Sequence, residues 1–162
     1  MSTTQRPYHD HAPHWPPELI AKLRATHESQ IDTNPQHVSI VIHETKCPYN
    51  DNTYEILGVF SSTFIANQTA MDFFKDEYSN FMEELSDDGP WGHFYEKPTN
   101  MDMNTVAWSV SNSGRLRLKA LDGGDGDLYQ VYVKRMAIQS SYSPRVARRD
   151  ATQSAHFYDF HF

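Results

Sequence analysis

The sequence predicts an α+β domain, a two-layer sandwich in which one long helix covers a mostly antiparallel sheet of order ββαβββ, with a short helix before it. Three observations predict this fold. Residues 37–44 and 53–62 are short apolar runs rich in β-branched side chains, as in strands. Residues 63–85 repeat apolar side chains at helical spacing. Residues 105–138 alternate apolar and polar side chains between turn-forming residues.

The N-terminal region divides into an arm and a helix. Residues 1–15 contain three His and two Pro among small polar residues, which predicts a flexible arm. Pro16 and Pro17 suit the first turn of a helix, and the carboxylate of Glu18 suits its positive end. We therefore predict a single domain over residues 16–138, followed by a polar tail over residues 139–162.

The central elements follow in order. Residues 37–44 and 53–62 form an antiparallel pair of strands joined by a loop of turn-forming residues. Ser61, Ser62 or Thr63 caps the long helix, and Gly89 with Pro90 ends it. A glycine inside a strand, such as Gly58, is typical of close packing or a bulge. This strand-to-helix turn lacks the glycines of a phosphate-binding loop, so we predict a frame here and no phosphate site.

The last part of the domain is predicted to be mostly strand. Residues 91–104 are a long connection with three aromatic residues, which we expect to pack over the edge of the core. Residues 105–121 predict a hairpin that turns at residues 112–114, and residues 128–138 predict the final strand. The aspartates of the DGGDGD loop at residues 122–127 do not have calcium-loop spacing, so we expect a plain strand connection.

The strand-to-helix junction carries a resemblance to a known group of proteins. The run Y-x-ILGVFSS at residues 54–62, followed by Ala66, Asn67 and Ala70, resembles a pattern in small domains of filamentous fungal proteins. The similarity covers roughly residues 37–85. It implies a scaffold and a fungal source, and it implies neither an activity nor a catalytic residue.

Composition and charge restrict the classes of function. The net charge is −7, which argues against nucleic acid as a partner. No apolar run approaches the roughly 18 residues that span a membrane, and the N-terminus has no signal-peptide pattern. A single cysteine, Cys47, excludes an internal disulfide. We expect a protein of the cytoplasm or nucleus, neither secreted nor bound to a membrane.

Charge is also unevenly distributed along the chain. Residues 44–105 contain twelve acidic and three basic residues, whereas residues 106–149 contain eight basic and three acidic ones. We predict an acidic helix surface opposed by a basic sheet surface, whose binding residues are Arg115, Arg117, Lys119 and Tyr132. A solvated outer sheet face is the plain alternative, and binding of single-stranded nucleic acid is another.

The C-terminal tail ends in HFYDFHF, which places four aromatic residues within seven positions. Solvated tails are usually poor in aromatic residues, so we expect this segment to dock on its own domain, on a second copy or on a partner. Its binding residues are Phe157, Tyr158, Phe160 and Phe162.

The sequence contains little that indicates a metal or cofactor site. His9, His11 and His14 are spaced as metal ligands can be, but an arm offers no frame to hold them. We therefore predict no metal site and no cofactor.

The function that these features favour is a protein-binding or regulatory domain, acting as a homodimer or with a protein partner. The alternative is a cofactor-independent isomerase or cyclase that acts on a small hydrophobic compound between sheet and helix. Its candidate residues are His43, His93, Tyr54, Trp108 and Tyr129, with a histidine as acid or base. The balance of the sequence is against an enzyme.

Overall fold

The computed structural model describes residues 6–29, 36–83, 89–96 and 101–138. Three α-helices in these ranges are α1 (Pro17–Ser29), α2 (Thr63–Glu77) and α3 (Ser79–Met82). The strands are β1 (His37–Lys46), β2 (Thr53–Phe60), β3 (Phe94–Glu96), β4 (Thr105–Val110), β5 (Leu116–Leu121) and β6 (Leu128–Ala137).

The six strands form one sheet in the order β2-β1-β6-β5-β4-β3. Every neighbouring pair is antiparallel except β3 and β4, which are parallel. The centre of the sheet is the pair β1–β6, which runs in register from His37 opposite Ala137 to Lys46 opposite Leu128. The predicted α+β class and the mostly antiparallel sheet are confirmed.

Two details of the predicted order differ from the structure. A short strand, β3, lies within the stretch predicted as a connection, so four strands follow the helices instead of three. The predicted single helix is interrupted at Tyr78, whose backbone angles of φ −116° and ψ 36° are not helical. The Tyr78 ring stacks on Tyr129 at a centroid distance of 4.9 Å. Helical periodicity continues across this position, so the sequence pattern concealed the break.

The helices lie on one face of the sheet. Alternation along each strand directs Val41, Val106, Leu118 and Val131 toward them, and all four side chains are at most 1% exposed. The opposite face is not covered by the described helices. We call it the uncovered face, and its side chains come from Val38, Ile40, Ile42, Glu44, Lys46, Tyr54, Ile56, Val59, Arg117, Lys119, Gln130, Tyr132, Lys134 and Met136.

A β-bulge in β2 decides which of its side chains reach the uncovered face. Val41 lies opposite Gly58, but the next residue of β1, Ile42, lies opposite Ile56, so β2 has one extra residue, Leu57. The bulge turns Ile56 onto the uncovered face. Gly58 lies on the helix side, where a Cβ would meet the Phe60 ring at 2.6 Å, so a larger residue there would require that ring to move.

The N-terminal segment packs against the domain. Tyr8 and Trp15 are 2% and 0% exposed, and His11 Nε2 lies 2.9 Å from Asp72 Oδ1 on α2. Arg24 of α1 donates a hydrogen bond to the Pro7 carbonyl at 2.8 Å. Residues 6–15 therefore belong to the domain, and the predicted flexible arm is not observed over these residues. Burial of two aromatic rings supplies the stabilisation that the polar composition concealed.

The buried side chain of Asn67 in α2 connects this segment to the β4–β5 hairpin. Its Nδ2 donates to the Tyr8 hydroxyl at 3.1 Å and to the Gly114 carbonyl at 2.7 Å. Its Oδ1 accepts from the Leu116 backbone N–H at 3.1 Å. One amide thereby satisfies backbone groups that are buried at the turn of the hairpin.

Substitution Asn67→Ala is expected to lower the free energy of unfolding by about 2–4 kcal/mol, because two buried backbone groups lose their partners at a cost of about 1–3 kcal/mol each. Urea unfolding measures the change. The control Gln68→Ala, one residue further along α2, should cost less than about 0.5 kcal/mol. Equal effects of the two substitutions would contradict the role assigned to Asn67.

Tyr8 should make stability depend on pH in the alkaline range. Burial raises the pKa of Tyr8 from 10.0 to about 12. Above pH 10 the unfolded chain releases a proton that the folded chain retains, so the free energy of unfolding falls as pH rises toward 12. Between pH 10 and pH 12, the free energy of unfolding of the Tyr8→Phe variant should fall by about 2 kcal/mol less than that of the original chain, as measured by urea unfolding at each pH. The control Tyr49→Phe, at a ring that is 88% exposed, should retain the original slope.

Candidate functional site

A polar row crosses the uncovered face. The register places Tyr54, Glu44, Gln130 and Lys119 side by side on β2, β1, β6 and β5. Glu44 is only 6% exposed, and its Oε2 accepts a hydrogen bond from Gln130 Nε2 at 2.6 Å. Lys46 Nζ lies 3.4 Å from Glu44 Oε1 and offsets its charge. A hydrogen bond to Glu44 raises the pKa of Tyr54, so the Tyr54 hydroxyl remains a donor.

The adjacent row is aromatic and cationic. Arg117 lies opposite Tyr132, and its guanidinium carbon is 4.9 Å from the centroid of that ring. A guanidinium that lies over a ring in this way keeps its N–H donors for hydrogen bonds to other groups. Burial, and then the charges of Arg117 and Lys46, lower the pKa of Lys119. The positive charges on this part of the face therefore repel one another.

Most of these cations lack an anionic partner within the described ranges. No described carboxylate lies within 4.0 Å of the charged nitrogens of Arg115, Arg117, Lys119 or Lys134. On the other layer, α2 carries Asp72, Asp76 and Glu77 against Lys75. The two layers thus present charges of opposite sign.

The edge of the uncovered face is apolar. Tyr54, Ile56 and Val59 of β2 are 66%, 65% and 57% exposed, and Met136 of β6 is 44% exposed. Ile40 and Ile42 lie between them on β1 and are half-buried. Contiguous exposed apolar side chains beside polar ones are typical of surfaces that bind protein.

A cleft of about 370 Å³ opens at one end of the same face, between the start of β5 and the middle of β6. It is lined by Ser109, Val110, Ser111, Arg115, Leu116, Arg117, Tyr132 and Val133. The lining contains two guanidinium groups and three hydroxyl-bearing side chains, and no carboxylate. The cleft therefore favours an anionic group.

The predicted basic residues are brought together in part. Arg117, Lys119 and Tyr132 lie on the uncovered face, while Arg115 precedes β5 and reaches the cleft. The predicted aromatic residues Phe157, Tyr158, Phe160 and Phe162 lie outside the described residues.

The candidate enzyme residues are distributed over both faces. His43 lies on the helix face, with Nε2 2.5 Å from the Tyr78 hydroxyl and Nδ1 3.8 Å from Glu55. Tyr129 joins this group by stacking on Tyr78. Tyr54 lies on the opposite face of the sheet.

The other two enzyme candidates lie apart from His43. Trp108 is buried in the core, with Lys22 Nζ 5.9 Å from its ring centroid. His93 is buried beside Phe94, at a ring distance of 4.5 Å. The five residues do not line one described cavity.

The N-terminal histidines contact different neighbours. His11 pairs with Asp72, His9 contacts the adjacent Asp10, and His14 lies in a hollow beside Trp91. Among the described residues, no three His, Cys, Asp or Glu side chains come together as a group able to hold a metal ion.

Gln130 follows from its alternation with Tyr132 in β6, but Glu44 and the apolar residues Ile56 and Val59 were not predicted as members of this surface. The signal was the run at residues 37–44, which is apolar on both faces. A strand that is apolar on both faces usually has both faces covered, so the run hinted at an additional partner for the uncovered face. The bulge that exposes Ile56 had no comparable signal.

Comparisons with known proteins add no assignment. No family model matches the chain, and neither a curated protein nor a solved structure shows significant similarity to it. The resemblance to fungal domains stays a prediction. Within the described ranges, none of the helices combines the length and apolar character needed to cross a membrane.

Substitution Glu44→Gln should lower the pKa of Tyr54 toward its ordinary value of about 10, because the hydrogen bond to the carboxylate is the main cause of the increase. NMR titration of the Tyr54 ring measures the change. The control Glu55→Gln, at the neighbouring residue on the other face of β2, should leave the Tyr54 pKa unchanged. An unchanged value in both variants would show that Glu44 does not contact Tyr54.

Proposed function

We propose that the protein is a protein-binding domain whose docking surface is the uncovered face, and that its own C-terminal segment, residues 156–162, docks there. The observation that carries the proposal is the combination on one face of exposed apolar side chains with three cations, Arg117, Lys119 and Lys134, that form no ion pair with any described carboxylate. Such a face matches a ligand that is both aromatic and acidic.

The composition of the C-terminal segment complements this face. Residues 156–162 include four aromatic side chains, and residues 150–162 contain two aspartates and no Lys or Arg. The aromatic rings match Ile56, Val59 and Met136, and the single carboxylate side chain within residues 156–162 matches Arg117 and Lys119. Each well-buried aromatic ring contributes about 1.5–3 kcal/mol before the entropic cost of ordering the segment.

The segment is long enough to reach the face. Residue 138 is the last described one, and its backbone N–H donates to the Gln36 carbonyl at 2.6 Å, close to the Val38–Met136 pair. The 24 residues from 139 to 162 span up to about 80 Å when extended. The segment can therefore dock on its own domain or on that of a second copy.

Symmetry favours the C-terminal segment over the acidic helix as the occupant. A basic face that binds the acidic helix α2 of another copy makes a head-to-tail contact, which continues into rings or filaments. Reciprocal exchange of C-terminal segments between two copies closes as a twofold dimer. Docking within one chain buries the same side chains, and the molecular mass distinguishes the two forms.

One arrangement supports the alternative enzyme function, namely the row Glu55–His43–Tyr78, which places a carboxylate and a hydroxyl on either side of an imidazole. Two observations weigh against it. Tyr78 is 6% exposed, and burial raises its pKa, so the hydroxyl is neither accessible nor readily ionised. Protein binding is therefore the function that we propose.

The full chain with Phe157, Tyr158, Phe160 and Phe162 changed to Ser tests the proposal. Loss of docking should convert a dimer to a monomer by light scattering, or lower the melting temperature of a monomer by about 5 °C if docking contributes about 2 kcal/mol. The control Tyr49→Ser removes a ring that is 88% exposed and should change neither quantity.

Substitution on the face itself gives an independent test. Ile56→Ser should produce the same loss as the quadruple variant, whereas Ile65→Ser, on α2 and 49% exposed, should not. Hydrogen exchange of the β2 and β6 amides should become faster in the quadruple variant. If mass, melting temperature and exchange are all unchanged, the C-terminal segment does not dock on this face.

A further inference from the structure

The cleft exists because β5 and β6 separate. β5 pairs with β6 only from Leu121 opposite Leu128 to Arg117 opposite Tyr132, whereas β6 continues along β1 as far as Ala137. Beyond this point the backbone of β5 turns toward α2, where Asn67 binds the Gly114 carbonyl and the Leu116 N–H. Residues 133–137 of β6 therefore have no described strand on their β5 side.

Two arginines at the cleft are held in place by the protein. Arg117 is stacked on Tyr132, and Arg115 Nε donates a hydrogen bond to Ser113 Oγ at 2.8 Å. Ser113 Oγ lies 3.0 Å from Ser111 Oγ, which in turn accepts from the Arg115 backbone N–H at 3.1 Å. These contacts restrict both side chains, and no hydrogen bond joins the terminal nitrogens of either guanidinium to another described residue. Restriction before binding lowers the entropic cost of binding.

We propose that this cleft binds the carboxylate of an acidic residue flanked by aromatic residues in an extended peptide segment, and that in this chain the carboxylate is Asp159. The inference rests on the proposed function, which it deepens by naming the group recognised. A guanidinium binds a carboxylate through two parallel N–H···O bonds, and such charge-assisted bonds are stronger than neutral ones.

The β5 side of β6 determines the form of the ligand. Within the described ranges, no strand pairs there with Val133 and Lys134. Such a strand edge offers backbone N–H and C=O groups to an added strand, and peptides are bound in this way by many domains. In any extended peptide of this sequence, side chains alternate between faces, so the carboxylate would share a face with the first aromatic residue of the F-Y-D-F run and not with its immediate neighbours. With Asp159 at Arg117, Phe157 can pack on the uncovered face near Tyr132.

A small anion or a nucleic acid fits this site less well than such a peptide. The apolar residues Ile42 and Ile56 adjoin Tyr132 in the same row of the sheet, and they offer a phosphate or a ribose no polar partner. They do offer an apolar surface to the aromatic neighbours of a carboxylate. Inorganic phosphate and an oligonucleotide therefore serve as competing probes.

The test measures binding of a labelled peptide with the sequence of residues 150–162 to the full chain carrying the four C-terminal Ser substitutions, so that the chain's own segment does not compete. Arg117→Met in the protein, or Asp159→Asn in the peptide, should each weaken binding about tenfold. The two substitutions together should weaken binding no more than either one alone, because both remove the same interaction. Lys75→Met, on α2, is the matched control and should leave affinity unchanged.

Exchanging the charges of Arg117 and Asp159 between protein and peptide distinguishes a specific contact from a general effect of net charge. The protein with Arg117→Asp should bind the original peptide more weakly and recover affinity for the peptide with Asp159→Arg. Circular dichroism and the melting temperature of each variant show that the fold is retained, and Arg117→Lys, which preserves charge without the bidentate geometry, gives a second folded comparison with intermediate affinity.

The outcomes separate the two proposals. If substitution of Arg117, Arg115 or Asp159 leaves the affinity unchanged and charge exchange restores no affinity, the carboxylate site is wrong. Docking on the uncovered face would still stand. A peptide that does not bind at all overturns both. The remaining outcome is displacement of the labelled peptide by an oligonucleotide. If this occurs at a lower concentration than inorganic phosphate or unlabelled peptide requires, the cleft binds nucleic acid and the inference is wrong.

Discussion

The side chain of Asn67 makes three hydrogen bonds to two parts of the chain that are distant from it in sequence. It holds Tyr8 of the N-terminal segment and both backbone groups at the turn into β5. Because the amide takes the Leu116 N–H, β5 separates from β6 there, and the cleft at the two arginines opens. The packing of the N-terminal segment and the shape of the candidate site therefore depend on one buried polar group, whose cost of burial is offset only while all its bonds are made.

Much of the fold was accessible from local patterns. Each of these patterns reflects contacts that an element makes along its own length. They are the alternation in β4, β5 and β6, the β-branched runs in β1 and β2, and the apolar stripe of α2. The short β3 was not accessible, because three residues carry too little periodicity. The break at Tyr78 was not accessible either, since the ring at the break packs on Tyr129, 51 residues later in the chain, and local periodicity does not report such a contact.

The candidate site was predictable only where one strand defined it. Arg117 and Lys119 alternate within β5, so the sequence placed them on one face, and Tyr132 followed from the same alternation in β6. The contact between Glu44 and Gln130 joins residues 86 positions apart, and it depends on a register that no single-strand pattern specifies. The buried N-terminal segment was missed for the same reason: Tyr8 and Trp15 become core residues only when α1 and α2 are in place.

The single extra residue in β2 decides which chemistry this edge of the sheet presents. If β2 paired regularly with Leu57 retained, Leu57 would lie opposite Ile42 and every position from residue 56 back to residue 53 would turn over. Glu55 would then face outward in place of Ile56 and Tyr54, and the edge would carry a carboxylate. A deletion of Leu57, by contrast, would join Gly58 directly to Ile56 and keep the existing partners, so the apolar edge tolerates loss of the bulged residue but not loss of the bulge with that residue in place.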